Sequence, residues 1–161
     1  VTVVEPRDFE TRRGFGVDDA LAFAPGVLAQ SRAGGQDVRL VIRGFGARGA
    51  GDRSNAGTSR GVRILVDGIP ETEPDGRTSF DQIELAAAER VEVVRSNLGA
   101  LWGNAAGGLV NVSTVPTFAR GFGDLEVTSG GFGLRRYVVR GGSALGAGPD
   151  PARAYATLAR T

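Results

Sequence analysis

Residues 89–114, ERVEVVRSNLGALWGNAAGGLVNVST, decide how the rest of the chain is interpreted. They contain two valine-rich runs, Val91 to Val94 and Leu109 to Val112, each too short for a buried helix and each bounded by polar residues or glycines. Runs of this length and composition are typical of strands. Three apolar residues between them are spaced three and four positions apart: Leu98, Leu101 and Trp102. This spacing predicts one helical turn that lays an apolar face on a sheet.

The composition narrows the class of protein. The chain has 161 residues, enough for one ordinary domain, or for a domain and part of another. Its 26 glycines follow no collagen-like period and favour a sheet protein with many tight turns. The net charge of +1 does not indicate nucleic-acid binding. Because cysteine and histidine are both absent, thiolate and imidazole metal sites, Cys nucleophiles and Ser-His-Asp triads are excluded. Most classes of hydrolase and metalloenzyme are excluded with them.

The chain before residue 89 reads as short strands and one clear helix. Asp18 and Asp19 precede an apolar segment that ends at Pro25-Gly26, as expected for a helix with acidic residues in its first turn. Alternating or valine-rich runs predict strands, and an Asp-Gly turn follows the last of them. These runs are residues 1–4 (VTVV), 37–43 (DVRLVIR) and 61–66 (GVRILV).

Gly44, Gly46 and Gly49 match the dinucleotide-binding pattern GxGxxG. That pattern requires the third glycine to open a helix whose N-terminus holds pyrophosphate. The chain continues as AGDRSNAGTSRG, from which no amphipathic helix can be drawn. A nucleotide-binding enzyme is therefore a distant alternative, and a glycine-rich loop is favoured.

Three segments in order carry a family resemblance: Val41 to Phe45 (VIRGF), Leu65 to Pro70 (LVDGIP) and residues 89–114. Together they resemble the plug domain of TonB-dependent outer-membrane receptors. One departure is that Ser96-Asn97 stands where the family usually has Gly-Pro, and Trp102 where it usually has tyrosine. A Ser-Asn turn is physically acceptable, because asparagine tolerates left-handed backbone and both side chains bond locally.

The resemblance implies a fold and a division of the chain. We expect an α+β plug domain over residues 1–116, with a small mixed β-sheet and short helices, followed by a linker at 117–123. Residues 124–161 would be the first antiparallel strands of a transmembrane β-barrel, since they alternate apolar or small residues with polar ones over about ten residues at a time. Such a barrel needs about 22 strands, so the sequence is expected to be a fragment of a longer receptor.

The resemblance also implies a function in the bacterial outer membrane that is not enzymatic, with no catalytic residue, no cofactor and no metal site. We expect TonB-dependent active uptake of a scarce solute, with this segment as the gated plug, and with TonB and the receptor's own β-barrel as partners. LVDGIP and PDGRTS look most like the ferric-citrate and ferric-siderophore branch, which makes a ferric chelate the expected ligand. The alternative is a receptor for a non-iron ligand, or one with a signalling or interaction role.

Seven residues are candidates for sites. Arginine binds oxyanions through paired hydrogen bonds, and outward-facing plug loops help form the family's substrate site. The ligand-contact candidates are Arg48, Arg53, Ser54, Asn55 and Arg77; a solvated loop is the alternative. Arg43 and Arg95 each end a strand run, and the resemblance implies that they pair with glutamates of the barrel wall. For these two, an ordinary surface arginine is the alternative.

Overall fold

The computed structural model of the chain describes residues 1–9, 16–31, 38–46, 60–71, 78, 80–116, 118, 120–145 and 152–161. The chain divides into two compact units, Val1–Val115 (unit 1) and Pro116–Thr161 (unit 2). Each is described by itself. In the ranges just given, no helix has both the length and the apolar character needed to cross a membrane.

Unit 1 is built from short elements, as its many glycines predict. Its helices are α1 (Pro6–Phe9), α2 (Val17–Leu21) and α3 (Gly99–Trp102), and two 3-10 turns lie at Phe80–Gln82 and Leu85–Ala87. Its strands are β1 (Thr2–Val4), β2 (Val27–Ser31), β3 (Val38–Ile42), β4 (Phe45–Gly46), β5 (Val62–Val66), β6 (Ile69–Pro70), β7 (Arg90–Val94) and β8 (Gly108–Ser113).

The main sheet of unit 1 has the strand order β1-β7-β8-β5-β6. Strand β8 pairs antiparallel with β7 and parallel with β5, so the sheet is mixed. The two valine runs that the sequence singles out are therefore neighbours in one sheet, with Val93 opposite Val110. A second, antiparallel sheet has the order β2-β3-β4. The predicted small mixed sheet with short helices is confirmed.

The core of unit 1 lies on one face of the main sheet. Alternate residues of β7 and β8 are buried there, and α2 and β3 supply side chains to the same core. Strand β3 shows the predicted alternation. Arg39 and Val41 are half-buried, and the three residues that alternate with them are fully buried: Val38, Leu40 and Ile42. The period of two along each strand therefore sets which residues form the core.

The helical turn between β7 and β8 forms at α3, but its predicted packing is wrong. Leu101 is 78% exposed and Trp102 is 39% exposed, and α3 buries no residue. The physical reason is the topology. Because β7 and β8 are adjacent and antiparallel, the connection between them runs beyond the strand ends and does not cross a face of the sheet. A spacing of three and four residues shows which side chains share a face, but not what that face meets.

Unit 2 is one antiparallel sheet of three strands: β9 (Phe122–Ser129), β10 (Arg135–Leu145) and β11 (Ala152–Arg160), in the order β11-β10-β9. Strand β9 begins two residues before the strand expected at Asp124. A 3-10 turn at Gly131–Gly133 joins β9 to β10. One face of this sheet carries exposed apolar side chains, whereas Asp124, Glu126 and Arg140 lie on the other face.

Candidate functional site

The first and third sequence motifs, VIRGF and residues 89–114, meet at one end of unit 1. At this end β3 turns into β4 through Arg43 and Gly44, which both have positive φ, 55° and 79°. Two central residues with positive φ suit a tight hairpin, and Ile42 pairs with Phe45 across it. The first two glycines of the GxGxxG match therefore belong to a β-hairpin and not to a helix start; Gly49 lies outside the described residues.

Phe45 links the first motif to the third. A Cβ atom at Gly61 would lie 2.5 Å from the Phe45 ring, and one at Gly107 would lie 2.4 Å from the Phe45 Cβ. Both distances are far below van der Waals contact, so neither glycine has room for a side chain. Gly46 is equally restricted, since a Cβ there would lie 2.0 Å from the Leu40 carbonyl oxygen. Close packing therefore requires glycine at positions 46, 61 and 107.

Backbone hydrogen bonds fix the base of the segment between Gly46 and Arg60. The Gly46 N–H donates to the Arg60 carbonyl at 2.7 Å, and the Gly107 N–H donates to the Gly61 carbonyl at 2.7 Å. The Gly61 N–H donates to the Asn104 Oδ1 at 2.7 Å. Asn104 thus ties this base to the third motif. It was missed at the sequence level, and no feature of its neighbours marks it.

Arg43 and Arg95 come together at the same end of unit 1. Both are exposed, and both line a cleft of about 370 Å³ with Gly26 and Ser96. The Arg95 Nη1 donates a hydrogen bond of 2.5 Å to the Pro25 carbonyl. That bond uses one of the five N–H donors of the guanidinium and holds the group against the turn that follows α2. The cleft therefore presents two permanent positive charges, which suits a carboxylate or another anion.

The Ser96-Asn97 turn bonds locally, as expected. The Asn97 Oδ1 accepts a hydrogen bond of 3.1 Å from the Gly99 N–H at the start of α3. Positive φ among non-glycine residues falls instead at Arg43, Asp67 and Phe132 within the described chain. The side chain of Asn97 thus stabilises the turn without left-handed backbone.

The opposite end of the main sheet is closed by Asp67. Its carboxylate accepts two hydrogen bonds from Thr114, from the backbone N–H at 2.8 Å and from the hydroxyl at 2.6 Å. The Asp67 N–H donates to the Val112 carbonyl at 2.9 Å, and the Gly68 N–H donates to the Asn111 Oδ1 at 3.3 Å. Asp67 is thus more than the turn residue that its Asp-Gly pair predicts. It joins LVDGIP to the last residues of unit 1.

The predicted ligand contacts are not among the residues just described. Arg48, Arg53, Ser54, Asn55 and Arg77 all lie outside the described residues, so these assignments stay predictions. Of the predicted site residues, the structure describes Arg43 and Arg95, and it brings them to one cleft.

Residues 1–109 match the family model of the TonB-dependent receptor plug domain, which covers nearly all of unit 1. The chain belongs to this family. The plug is 33% identical over 115 residues to the vitamin B12 transporter BtuB of Vibrio vulnificus, covering 70% of this chain and 17% of that protein. It is 34% identical over 118 residues to the hemin receptor of Yersinia enterocolitica, covering 71% of this chain and 15% of that protein.

A solved structure extends the likeness of fold to both units. The ferripyoverdine receptor of the outer membrane of Pseudomonas aeruginosa, bound to ferripyoverdine, superposes with a TM-score of 0.67 at 20% identity. The match covers 97% of this chain and 19% of that one. The chain thus spans less than a quarter of the length of each of these proteins. Membership of the family places the plug in the outer membrane and makes it part of a receptor, not of an enzyme.

Proposed function

We propose that this plug gates TonB-dependent active uptake of a scarce solute across the outer membrane. The observation that carries the proposal is that the first and third motif segments pack together at one end of unit 1, around Phe45 and Asn104, and leave Arg43 and Arg95 exposed on a shared cleft. A domain built in this way is rigid within itself and presents charge for a partner. TonB, the energy-transducing protein of the inner membrane, is the proposed partner at the N-terminal side.

Arg43 and Arg95 are the proposed contacts with the receptor's own barrel. A carboxylate pair at the cleft suits both guanidinium groups, and removing one partner of a buried ion pair costs roughly 3 to 5 kcal/mol. Such contacts hold a plug firmly while allowing it to be released by a pull on the chain. Exchange of both arginines for glutamate in the complete receptor is expected to increase proteolysis of the plug, and unchanged proteolysis would remove these contacts from the account.

Strands β9 to β11 are the proposed first strands of that barrel. In an antiparallel sheet, residues directly opposite each other share a face. On one face the register gathers exposed apolar side chains: Leu125, Val127, Tyr137, Val139 and Leu158. The other face carries Asp124, Glu126 and Arg140, with the Arg140 Nη2 at 2.7 Å from the Asp124 Oδ2. An apolar outer face and a polar inner face are typical of barrels in the outer membrane.

A ferric chelate, a siderophore or citrate complex, is the proposed ligand. The likeness of LVDGIP to the ferric-citrate and ferric-siderophore branch supports it, as do the arginines of segments 47–59 and 72–77. The names of similar proteins, a hemin receptor and a ferripyoverdine receptor, support an iron-bearing ligand. The second candidate is a non-iron ligand, because the Vibrio vulnificus relative is named a vitamin B12 transporter.

Isothermal titration of the complete receptor tests this choice. The titrants are ferric dicitrate, several ferric siderophores, hemin and vitamin B12. The proposal expects saturable binding of one ferric chelate, weakened when Arg53 and Arg77 are changed to alanine and unaffected when Arg120 and Arg153 are changed in the same way. Binding of vitamin B12 alone would favour the non-iron ligand, and a receptor that binds none of the titrants would contradict the proposal of a ferric chelate.

A further inference from the structure

The apolar face of unit 2 changes character at the end nearest the turn between β9 and β10. Tyr137 lies opposite both Val127 and Arg160, so these three residues share a face. Arg135 lies two residues before Tyr137 on β10 and therefore points to the same side. The next row along this face is wholly apolar, with Val139 between the two leucines that lie opposite it, Leu125 and Leu158. Two arginines and a tyrosine thus cap rows of apolar side chains.

The charges of Arg135 and Arg160 are not balanced on their own face. The acidic residues of the sheet, Asp124 and Glu126, lie opposite Arg140 and Val138 on the other face. There Asp124 pairs with Arg140. In the ranges that the structure describes, no carboxylate forms an ion pair with Arg135 or Arg160. Within these three strands, the apolar face therefore ends in two positive charges, which suit an anion.

These residues line an open pocket of about 720 Å³, together with the turn Gly131–Gly133. The pocket is formed within unit 2 alone. Phe132, which has a positive φ of 58° and is fully exposed, stands at its rim. Two guanidinium groups can each hold phosphate oxygens through paired hydrogen bonds, and the phenol of Tyr137 adds a donor. Aromatic side chains with one wet and one apolar side are enriched where a membrane meets water.

We propose that this pocket binds the phosphate of an anionic lipid headgroup while the adjoining apolar rows contact the acyl chains. The inference rests on the proposed assignment of β9 to β11 to the barrel. At about 3.4 Å per residue, positions 137 to 145 of β10 extend roughly 27 Å along the strand, which is about 21 Å of height at a tilt of about 40° and close to the apolar band of about 25 Å on such barrels. The two arginines thus lie where headgroups begin. Free phosphate alone would leave the apolar rows in water, which favours a lipid as the source.

Native mass spectrometry of the complete receptor in detergent tests the proposal. The receptor is titrated with phosphatidylglycerol and, separately, with diacylglycerol that has the same acyl chains. In the variant Arg135→Gln/Arg160→Gln, binding of phosphatidylglycerol is expected to weaken about 30-fold, because two positive charges near the anionic headgroup are lost. Binding of diacylglycerol is expected to stay unchanged. The matched control Arg120→Gln/Arg153→Gln removes equal charge at the far end of the sheet and is expected to bind like the wild type.

Three results contradict the proposal. The first is an equal loss of phosphatidylglycerol binding in the control variant. The second is that phosphatidylglycerol binds no more tightly than diacylglycerol. The third is that millimolar inorganic phosphate alone displaces the lipid. A receptor dimer that forms without lipid and is lost in Arg135→Gln/Arg160→Gln would assign the face to a second copy instead.

A separate readout distinguishes failure of this inference from failure of the barrel assignment. The chain contains no cysteine, so Val139→Cys accepts a single fluorophore. In vesicles with brominated acyl chains its quenching reports contact with lipid, whatever the headgroup. One result would overturn the lipid-phosphate site alone: quenching persists in the arginine variant, and the wild type binds phosphatidylglycerol no more tightly than diacylglycerol. No quenching in the wild type overturns the barrel assignment and this inference with it.

Discussion

The two units use apolar side chains in opposite ways. Among the described residues, every buried apolar side chain except Val138 belongs to unit 1, where α2 and β3 share one core with the main sheet. Unit 2 instead exposes a row of them, with Leu125 67% exposed and Leu158 70% exposed. Both units contain strands in which apolar and polar residues alternate. The comparison shows that alternation in the sequence identifies a strand with one apolar and one polar face. It does not show what covers the apolar face, which can be another part of the molecule or its surroundings.

The largest expected effect is at the core of unit 1. Ile64 is fully buried on β5, so Ile64→Ala removes packed methyl groups and leaves a cavity, which costs about 2 to 5 kcal/mol. The matched variant in unit 2, Leu158→Ala, is expected to change the free energy of local opening by less than about 0.5 kcal/mol. Hydrogen exchange of the β5 and β11 amides in the complete receptor measures both. Equal effects would break the contrast between the units.

The next effect concerns glycines. Gly107→Ala places a Cβ against the Phe45 Cβ, and the resulting overpacking is expected to cost about 1 to 3 kcal/mol. Gly131 in unit 2 has no neighbouring atom within 4 Å of a Cβ at its position, so Gly131→Ala is expected to be neutral or slightly stabilising. Thermal unfolding of the two variants compares them. If Gly107→Ala is neutral as well, Phe45 does not hold the motifs together.

The third comparison concerns carboxylates. Asp67→Ala removes two hydrogen bonds to Thr114 and a residue suited to positive φ, with an expected cost of about 1 to 2 kcal/mol. Asp124→Ala breaks a partly exposed ion pair with Arg140, worth about 0 to 1 kcal/mol. Urea denaturation measures the free energy of unfolding in each case. A larger effect at Asp124 would mean that the hydrogen bonds of Asp67 do not hold this end of the main sheet together.

The smallest effect is expected at Trp102. A tryptophan in the core would cost about 3 to 5 kcal/mol when changed to alanine, but this ring is partly exposed on a short helical turn. Trp102→Ala is therefore expected to cost about 1 kcal/mol. Urea denaturation with Leu101→Ala as the exposed control measures the difference. A cost above about 3 kcal/mol would restore the packing that the sequence predicts.

The strands of both units follow from local pattern, because β5, β7 and β8 contain short valine-containing runs bounded by polar residues or glycines, and β9 to β11 alternate apolar or small residues with polar ones. The family motifs also point to Arg43 and Arg95. What the sequence does not reveal are contacts between distant positions. The Gly61–Asn104 bond spans 43 residues and the Asp67–Thr114 bonds span 47, and neither pair differs in composition from ordinary turn residues. The cleft shared by the two arginines likewise depends on how the ends of β3 and β7 meet, which no local pattern encodes.

The most direct test compares two leucines that are both exposed in the chain. Leu101→Cys in unit 1 and Leu158→Cys in unit 2 are labelled with the same fluorophore in the complete receptor, in vesicles with brominated acyl chains. Strong quenching is expected at position 158 and none at position 101, because unit 2 is proposed to face lipid and the plug is proposed to lie inside the receptor. Equal quenching at both positions, or quenching at position 101 alone, would contradict this proposal.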